Sequence, residues 1–526
     1  MNLLSLLIFL PLFGAALILF LPASQTKYFK WITLGFCAVE LLAAAVVYHY
    51  FDLSNPSFQF VEQTDWITLS LGGLGAVSID YLLGIDGISL PLVLLTGVVM
   101  LVGAVSSWQI NNRQRAYFSL YLLLTASIMG CFLALDFFLF FLFFEFMLLP
   151  MYFLIGLWGG PRREYAAIKF FLYTLLGSVL ILVVMIALYL SAFDPYSSLN
   201  AQTIVHTFDL RYLADGHNYL PDSLLNGLSA HQIMGLDARL FLFLVLFAGF
   251  AIKLPVVPFH TWLPDAHVEA PTPVSVVLAG VLLKIGGYGF IRIAYTIFPD
   301  AAAEYATLLG VLGMISIVYG GFNALAQSDL KKMIAYSSVS HMGFVLLGVA
   351  SLTPEGLNGA VYQMVSHGVL SAMLFVVTGV LYDRTQNRQI EAYRGLAKPM
   401  PAYTTLTAIC FFASLGLPGF SGFIGELFTL MGGFQSEFMP KWIAAASTLG
   451  IVLAAAYFLW TLQRMFFGPL WTQKGVESLL ADLTPREKIM LLPLATLTLV
   501  LGLFPHLIFD ITSATITEFL KKFSLN

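Results

Sequence analysis

Apolar residues run through this chain in long blocks, and polar residues fall between the blocks. A block of about 20 apolar residues is the length of helix that crosses a bilayer core. Fourteen crossing helices are predicted, at 2–22, 29–50, 88–108, 116–134, 137–158, 168–191, 239–259, 272–297, 304–325, 330–350, 358–382, 403–433, 442–466 and 488–508. Two loops stand out by length, 51–87 and 192–238. The first contains 66–80, whose strand-like residues around Gly72–Gly73 predict a hairpin. The second has no role that the sequence assigns.

Two of the fourteen blocks are interrupted. LFLFLVLFAGFAIKLPVVPFHTWLPDAH, 240–267, meets Lys253 and then Pro255 and Pro258. LTAICFFASLGLPGFSGFIGELFTLMGG, 406–433, is broken by LGLPGFSGF and carries Glu426. Proline inside a helix removes a backbone bond. In lipid the freed groups have no partner, so each break must face protein or water. The breaks lie five spans apart, an odd offset that puts their surroundings in opposite orientations. That is the pattern of inverted repeats in transporters. Two five-helix repeats are therefore expected, 115–297 and 304–466, each containing a broken helix, within a single transmembrane domain 1–526.

Composition supports this all-α polytopic reading. Of 526 residues 59% are hydrophobic and 10% charged, against roughly 25% charged in soluble domains. No room is left for a large water-soluble domain. The net charge of −4 says little, because in a membrane protein charge matters by side and depth. Basic residues mark the sides. With the N-terminus outside, the inside loops hold 17 Lys and Arg, from Lys27 and Lys30 to Arg486 and Lys488, and the outside only Arg211, Arg239, Arg292, Lys441, Lys521 and Lys522. A multi-pass protein of the bacterial inner membrane with both termini extracytoplasmic is expected. The first block lacks a basic leader and reads as a retained span. Cys37, Cys131 and Cys410 are scattered through apolar segments and suit neither zinc nor an iron–sulfur cluster.

The chemistry lies in ionisable residues inside spans: Glu145, Lys253, Lys284, His341, His367 and Glu426. A charge at the bilayer centre costs about 2.5–3.5 kcal/mol on insertion scales. Such groups persist when paired or hydrated, and a hydrated series of them can pass protons. Each has a bland alternative. Glu145 with a lysine could be a packing ion pair, and a lone histidine in a span is often a satisfied core hydrogen-bonder. Lys253 beside a helix break is the hardest to read as packing. Spacing also places Ser337 with His341, and Gln363 with His367 and Ser371, on common helix faces. Glu40 has no polar company in sequence and reads as structural; Asp136, at a span start, reads as interfacial. His260, Asp265, His267 and Glu269 have metal-ligand residue types but follow the first break at the inside surface, so no metal is assigned.

KLPVVPFHTWLPDAHVEAPTPVSVVLAGVLLKIGGYG at 253–289 and DLKKMIAYSSVSHMGFVLLG at 329–348, with FFEFMLLPMY and GLPGFSGFIGELF, carry a resemblance. Through them most of the chain resembles the antiporter-like subunits of respiratory complex I, the proton-pumping NADH–quinone oxidoreductases. The resemblance implies a proton-translocating membrane-arm subunit. It implies that Glu145 and Lys253 form an ion pair that opens and closes, that Lys284 is the central lysine, that His341 and His367 link the axis, and that Glu426 is the terminal carboxylate. Glu426 stands where other large subunits of the family, and the related multisubunit sodium/proton antiporters, have lysine, which narrows the resemblance to one branch. Flavin, iron–sulfur clusters, NADH and quinone are expected in other subunits, with no cofactor in this chain. Implied partners are the other membrane-arm subunits, including two neighbouring antiporter-like subunits, and lipids; no nucleic acid is expected. Competing readings are a subunit of a multisubunit sodium/proton antiporter, a subunit of a membrane-bound hydrogenase complex, and a passive scaffold in which the buried charges only pair.

Overall fold

The structure is a computed structural model that describes residues 2–22, 24–70, 76–200, 204–227, 231–473 and 476–523. It is a bundle of long helices. Among the described residues eleven are long and apolar enough to cross a membrane: Leu3–Phe20, Thr26–Tyr50, Ser89–Gln109, Gln114–Leu133, Phe137–Trp158, Arg163–Ser191, Thr272–Tyr295, Ala306–Leu325, Leu330–Ala350, Pro354–Thr385 and Lys441–Phe466. Their starts follow local chemistry. Asp136, Asp329 and Thr353 accept hydrogen bonds from backbone amides of the first turn, the groups a helix leaves unpaired. Thr484 and Glu487 form a capping box on the helix Pro485–Leu503.

Three predicted segments differ from simple spans. The segment predicted at 239–259 is one half-helix, Ala238–Lys253, whose second half, Trp262–Glu269, lies past the predicted end, and the segment at 403–433 is two half-helices, Pro401–Ser414 with Ser421–Gln435. The last segment does not continue straight. Pro485–Leu503 and the helix after it meet at 62°, where Pro505 cannot donate to a continuing turn. The second arm, His506–Leu520, packs against Pro354–Thr385 and Ser89–Ser106.

Burial sorts the helices. Thr272–Tyr295 and Pro354–Thr385 are 100% enclosed over their most apolar stretch and Leu330–Ala350 94%, whereas Thr26–Tyr50 is 28% and Arg163–Ser191 39% enclosed. On Arg163–Ser191 the exposed residues Leu172, Leu176, Val179, Val183, Ile186 and Leu190 form one stripe, an apolar face suited to lipid or a neighbouring subunit. The three enclosed helices carry Lys284, His341 and His367, so the centre of the bundle is where the costly polar groups gather.

The predicted hairpin is present and longer than expected. Gln59–Ser70 pairs antiparallel with Ala76–Ile85; Gly72 and Gly73 lie outside the described residues. The loop 192–238, which had no expected role, adds Val205–His206 as a parallel partner of Ala76 and Val77. The two long loops thus join in one small sheet over the same end of the bundle.

Candidate functional site: a buried row of ionisable groups

Each break is closed by specific side chains. At the first, the Trp262 indole donates to the Ile252 carbonyl at 2.8 Å, and the Val257 amide donates to Ser316 Oγ at 3.1 Å. At the second, the Ser414 carbonyl faces His341 Nε2 at 3.2 Å. Ser366 donates to Ser421 Oγ at 2.8 Å. Some of the groups that each break frees thus find partners within the protein, as a nonpolar surrounding demands.

Lys284 sits on the enclosed helix between two π-helical segments, Leu278–Leu282 and Phe290–Tyr295. Such widened turns recur at functional positions. Its side chain is fully buried. Its ammonium donates to the Ala279 carbonyl within the first widened turn and to His367 Nδ1 at 2.7 Å. The His367 and His341 rings lie with centroids 5.3 Å apart. His341 Nε2 is 3.4 Å from Glu426 Oε1. Four predicted residues from four helices and both expected repeats therefore stand in one row, each at most 5% exposed.

Glu426 reaches the break because Gly416 lies there. At φ +80° this residue is in the left-handed region, and a Cβ on it would come 2.7 Å from Glu426 Oε2.

Glu145 and Lys253 are placed differently. Lys253 ends its half-helix, where the carbonyl end of the dipole favours a cation. It is 1% exposed, and its ammonium lies over the rings of Phe144 at 5.0 Å and Phe170 at 5.6 Å. Glu145 is half-buried, with one carboxylate oxygen lacking a hydrogen-bond partner. The expected ion pair is not closed: Lys253 Nζ and Glu145 Oε1 each lack a hydrogen-bond partner, though each residue lies in the other's electrostatic field. Neither is hydrogen-bonded to the row of four.

The polar stripes contribute less than expected. Ser337 and Ser371 turn their hydroxyls back to the Ile334 and Gly368 carbonyls. Histidine 267 contributes more. It is fully buried, both ring nitrogens lack partners, and it stacks on Phe375 at 4.5 Å. It lies in the electrostatic field of both Lys331 and Lys284. Sequence could flag it only as an ionisable residue after a break. Its metal-like neighbours go separate ways: Asp265 pairs with Lys169 at 2.6 Å, Glu269 accepts from the Arg162 amide at 2.9 Å, and His260 packs edge-on to Tyr319.

At the hairpin end, outside the spans, Asp136 is 1% exposed and neighbours Asp80 and Asp209. Burial pushes its carboxyl up to about 7, and the two like charges add to this against the amides that bond it.

A polytopic bundle that encloses ionisable side chains at its centre, beside two helices broken in mid-course, has the build of an ion-translocating membrane subunit. Residues 134–454 match the family NADH:quinone oxidoreductase/Mrp antiporter, TM, and the chain is 43% identical over 527 residues to NADH-quinone oxidoreductase subunit M of Rhodobacter capsulatus, covering 99% of this chain and 97% of that one. The chain belongs to this family, in its subunit M branch. A chain in the structure of respiratory complex I from Thermus thermophilus with bound NADH superposes with a TM-score of 0.81 at 31% identity, covering 99% of both. A chain of the Mrp complex from Dietzia sp. DQ12-45-1b gives 0.79 at 22% identity over 99% of this chain and 98% of that one, which shows a shared fold.

Proposed function

We propose that this chain is the proton-translocating subunit M of a NADH-quinone oxidoreductase and that protons cross it along Lys284, His367, His341 and Glu426. One observation carries this reading: four ionisable side chains from four helices meet in one buried row, with Lys284 2.7 Å from His367 and His341 3.4 Å from Glu426. While Lys284 is charged it can only donate, so His367 Nδ1 accepts and its ring hydrogen belongs on Nε2. His341 Nε2 faces two oxygens and carries its hydrogen there, which leaves Nδ1, without a partner, to accept. His367 thus accepts from Lys284 and His341 donates toward Glu426, and the step between the two rings, 5.3 Å apart at their centroids, is left for water to bridge.

Uptake fits a cavity of about 320 Å³ on the lysine- and arginine-rich side, lined in part by Glu269, Lys331, Asp383 and Arg388. From there Lys331, which donates to the Ala270 carbonyl at 2.5 Å, and then His267 lead toward Lys284. Glu145 and Lys253 act beside the row. Closing that pair would hold Lys253 charged and change the field at Lys284. Moving one proton against the membrane potential takes about 2.3 kcal/mol per 100 mV, and the effective penalty of burying an ion is several kcal/mol. Rearranging one buried pair is of the right size.

The reading includes fourteen crossings, with the two broken segments and the bent last segment counted as spans. It includes the inverted repeats 115–297 and 304–466 and extracytoplasmic termini in a bacterial inner membrane. The other membrane-arm subunits, two antiporter-like ones among them, are the partners. NADH, quinone, flavin and iron–sulfur clusters belong to other subunits.

The test is proton uptake by the assembled oxidoreductase in proteoliposomes. Lys284→Ala and Lys253→Ala should each abolish pumping while the complex remains detectable; undiminished pumping in either would refute that residue's role.

A further inference from the structure

Thr26–Tyr50 buries one stripe, Phe29, Thr33, Cys37, Glu40, Ala44 and Val47. Three members are polar or ionisable, and Glu40 is fully buried with neither carboxylate oxygen bonded to any donor. The sequence shows Glu40 no polar company; the fold supplies it. Cys37 and Tyr121 lie within its electrostatic reach. Tyr121 stacks on Tyr117, whose hydroxyl is 2.9 Å from Ser107 Oγ. Thr33 Oγ1 and Gln114 Oε1 are also buried without hydrogen-bond partners. Glu40 follows Thr33 by seven residues and Tyr121 follows Gln114 by seven. The two helices start at the same face, since Lys30 donates to Trp108 O and Asn111 Oδ1 and Gln114 donates to Ile110 O. A surface cavity of about 350 Å³ lined by Lys30, Trp108, Asn111 and Gln114 opens at that level.

Four unsatisfied polar atoms therefore line one seam between three helices, from a surface cavity to a buried acid. Buried polar groups are satisfied by protein or by ordered water, and internal waters sit where several such groups converge. An ionised carboxylate with no partner is the least tolerable group to bury. Beyond Glu40 the seam closes: the buried stripe continues as the apolar Ala44 and Val47, and Leu41 packs directly on Gly97.

We propose that Glu40 is a second proton-binding site, loaded from the lysine-rich face by internal water along Thr33, Gln114 and Tyr117, and separate from the central row. One proton passes from water to the carboxylate and returns by the same route, so the seam is a dead-end branch and not a crossing path.

The experiment is infrared difference spectroscopy on the assembled oxidoreductase in lipid vesicles, with D2O as the probe. Wild type minus Glu40→Gln should show the carbonyl stretch of a protonated carboxyl, and that band should shift on exchange into D2O. Thr33→Val combined with Gln114→Leu should slow the shift severalfold. Where Glu40→Gln does not assemble, Glu40→Asp identifies the band by displacing it. The proposal is overturned by a missing band, by a band that never shifts, or by a shift as fast in the double variant as in wild type. Because the readout is the Glu40 band, repeating it in a Lys284→Ala background separates this site from pumping along the row.

Discussion

Lys284 Nζ stands 2.7 Å from His367 Nδ1, across 83 residues of sequence and the line between the two expected repeats. A buried ammonium with one carbonyl and one imidazole has a neutral base as its partner in place of a carboxylate. Nothing there holds the proton as tightly as an ion pair would, and the imidazole offers it a place to go.

This contact sets the first prediction. His367→Gln keeps a side chain that can accept from Lys284 but cannot take up and release a proton near neutral pH. Assembly and NADH oxidation should survive and the proton-to-electron ratio should fall. An unchanged ratio would show that protons do not pass through this ring. His367→Ala should in addition destabilise the subunit by about 1–3 kcal/mol, the penalty for an unsatisfied buried donor, read as a lower inactivation temperature.

Gly416→Ala tests the carboxylate end. The new methyl would meet Glu426 Oε2 at 2.7 Å, at a backbone φ of +80° that alanine resists. Overpacking of this kind costs roughly 1–3 kcal/mol. Glu426 should be displaced from His341, with reduced pumping alongside reduced stability. A variant that pumps at the wild-type ratio would mean the His341–Glu426 distance of 3.4 Å is not needed.

Gly286→Ala tests the first break. Its Cβ would come 2.6 Å from the Leu254 backbone nitrogen, just after Lys253. Backbone cannot swing aside as a long side chain can, so the helix bearing Lys284 must move off the break. Less subunit in the membrane, or an assembled complex with impaired pumping, is expected; normal abundance and pumping together would show that the two helices separate freely.

Asp136 predicts a pH effect at the hairpin end. Its carboxyl is raised from 3.8 to about 7 by burial. The folded state thus binds a proton that the unfolded state has already lost. The stabilisation is complete below about 4 and is lost as pH rises through about 7. Hydrogen exchange in 76–85 and 134–139, corrected for the intrinsic pH dependence, should show protection falling over that window in wild type. Asp136→Asn should flatten the profile; a slope that persists in the variant would place the titrating group elsewhere.

Much of the architecture was legible because it depends on local rules. The segment positions follow from the length of apolar blocks and the two breaks from Pro255, Pro258 and the LGLPGFSGF stretch. The hairpin follows from alternation around two glycines. What escaped were relations between distant segments. Nothing near Lys253 in sequence says that its ammonium lies between Phe144 and Phe170 instead of closing on Glu145. The bend at Pro505 and the small sheet uniting two loops needed the packed molecule as well.

By itself the sequence determined which residues are too costly to bury without purpose, because the cost of a charge in hydrocarbon depends on residue type and depth alone. Only the tertiary structure decided which of them touch. Hydrogen bonding acts over about 3 Å, and one helical turn or a small change in crossing angle separates contact from none. That is why Lys284, His367, His341 and Glu426 form a row while Glu145 and Lys253 stand apart.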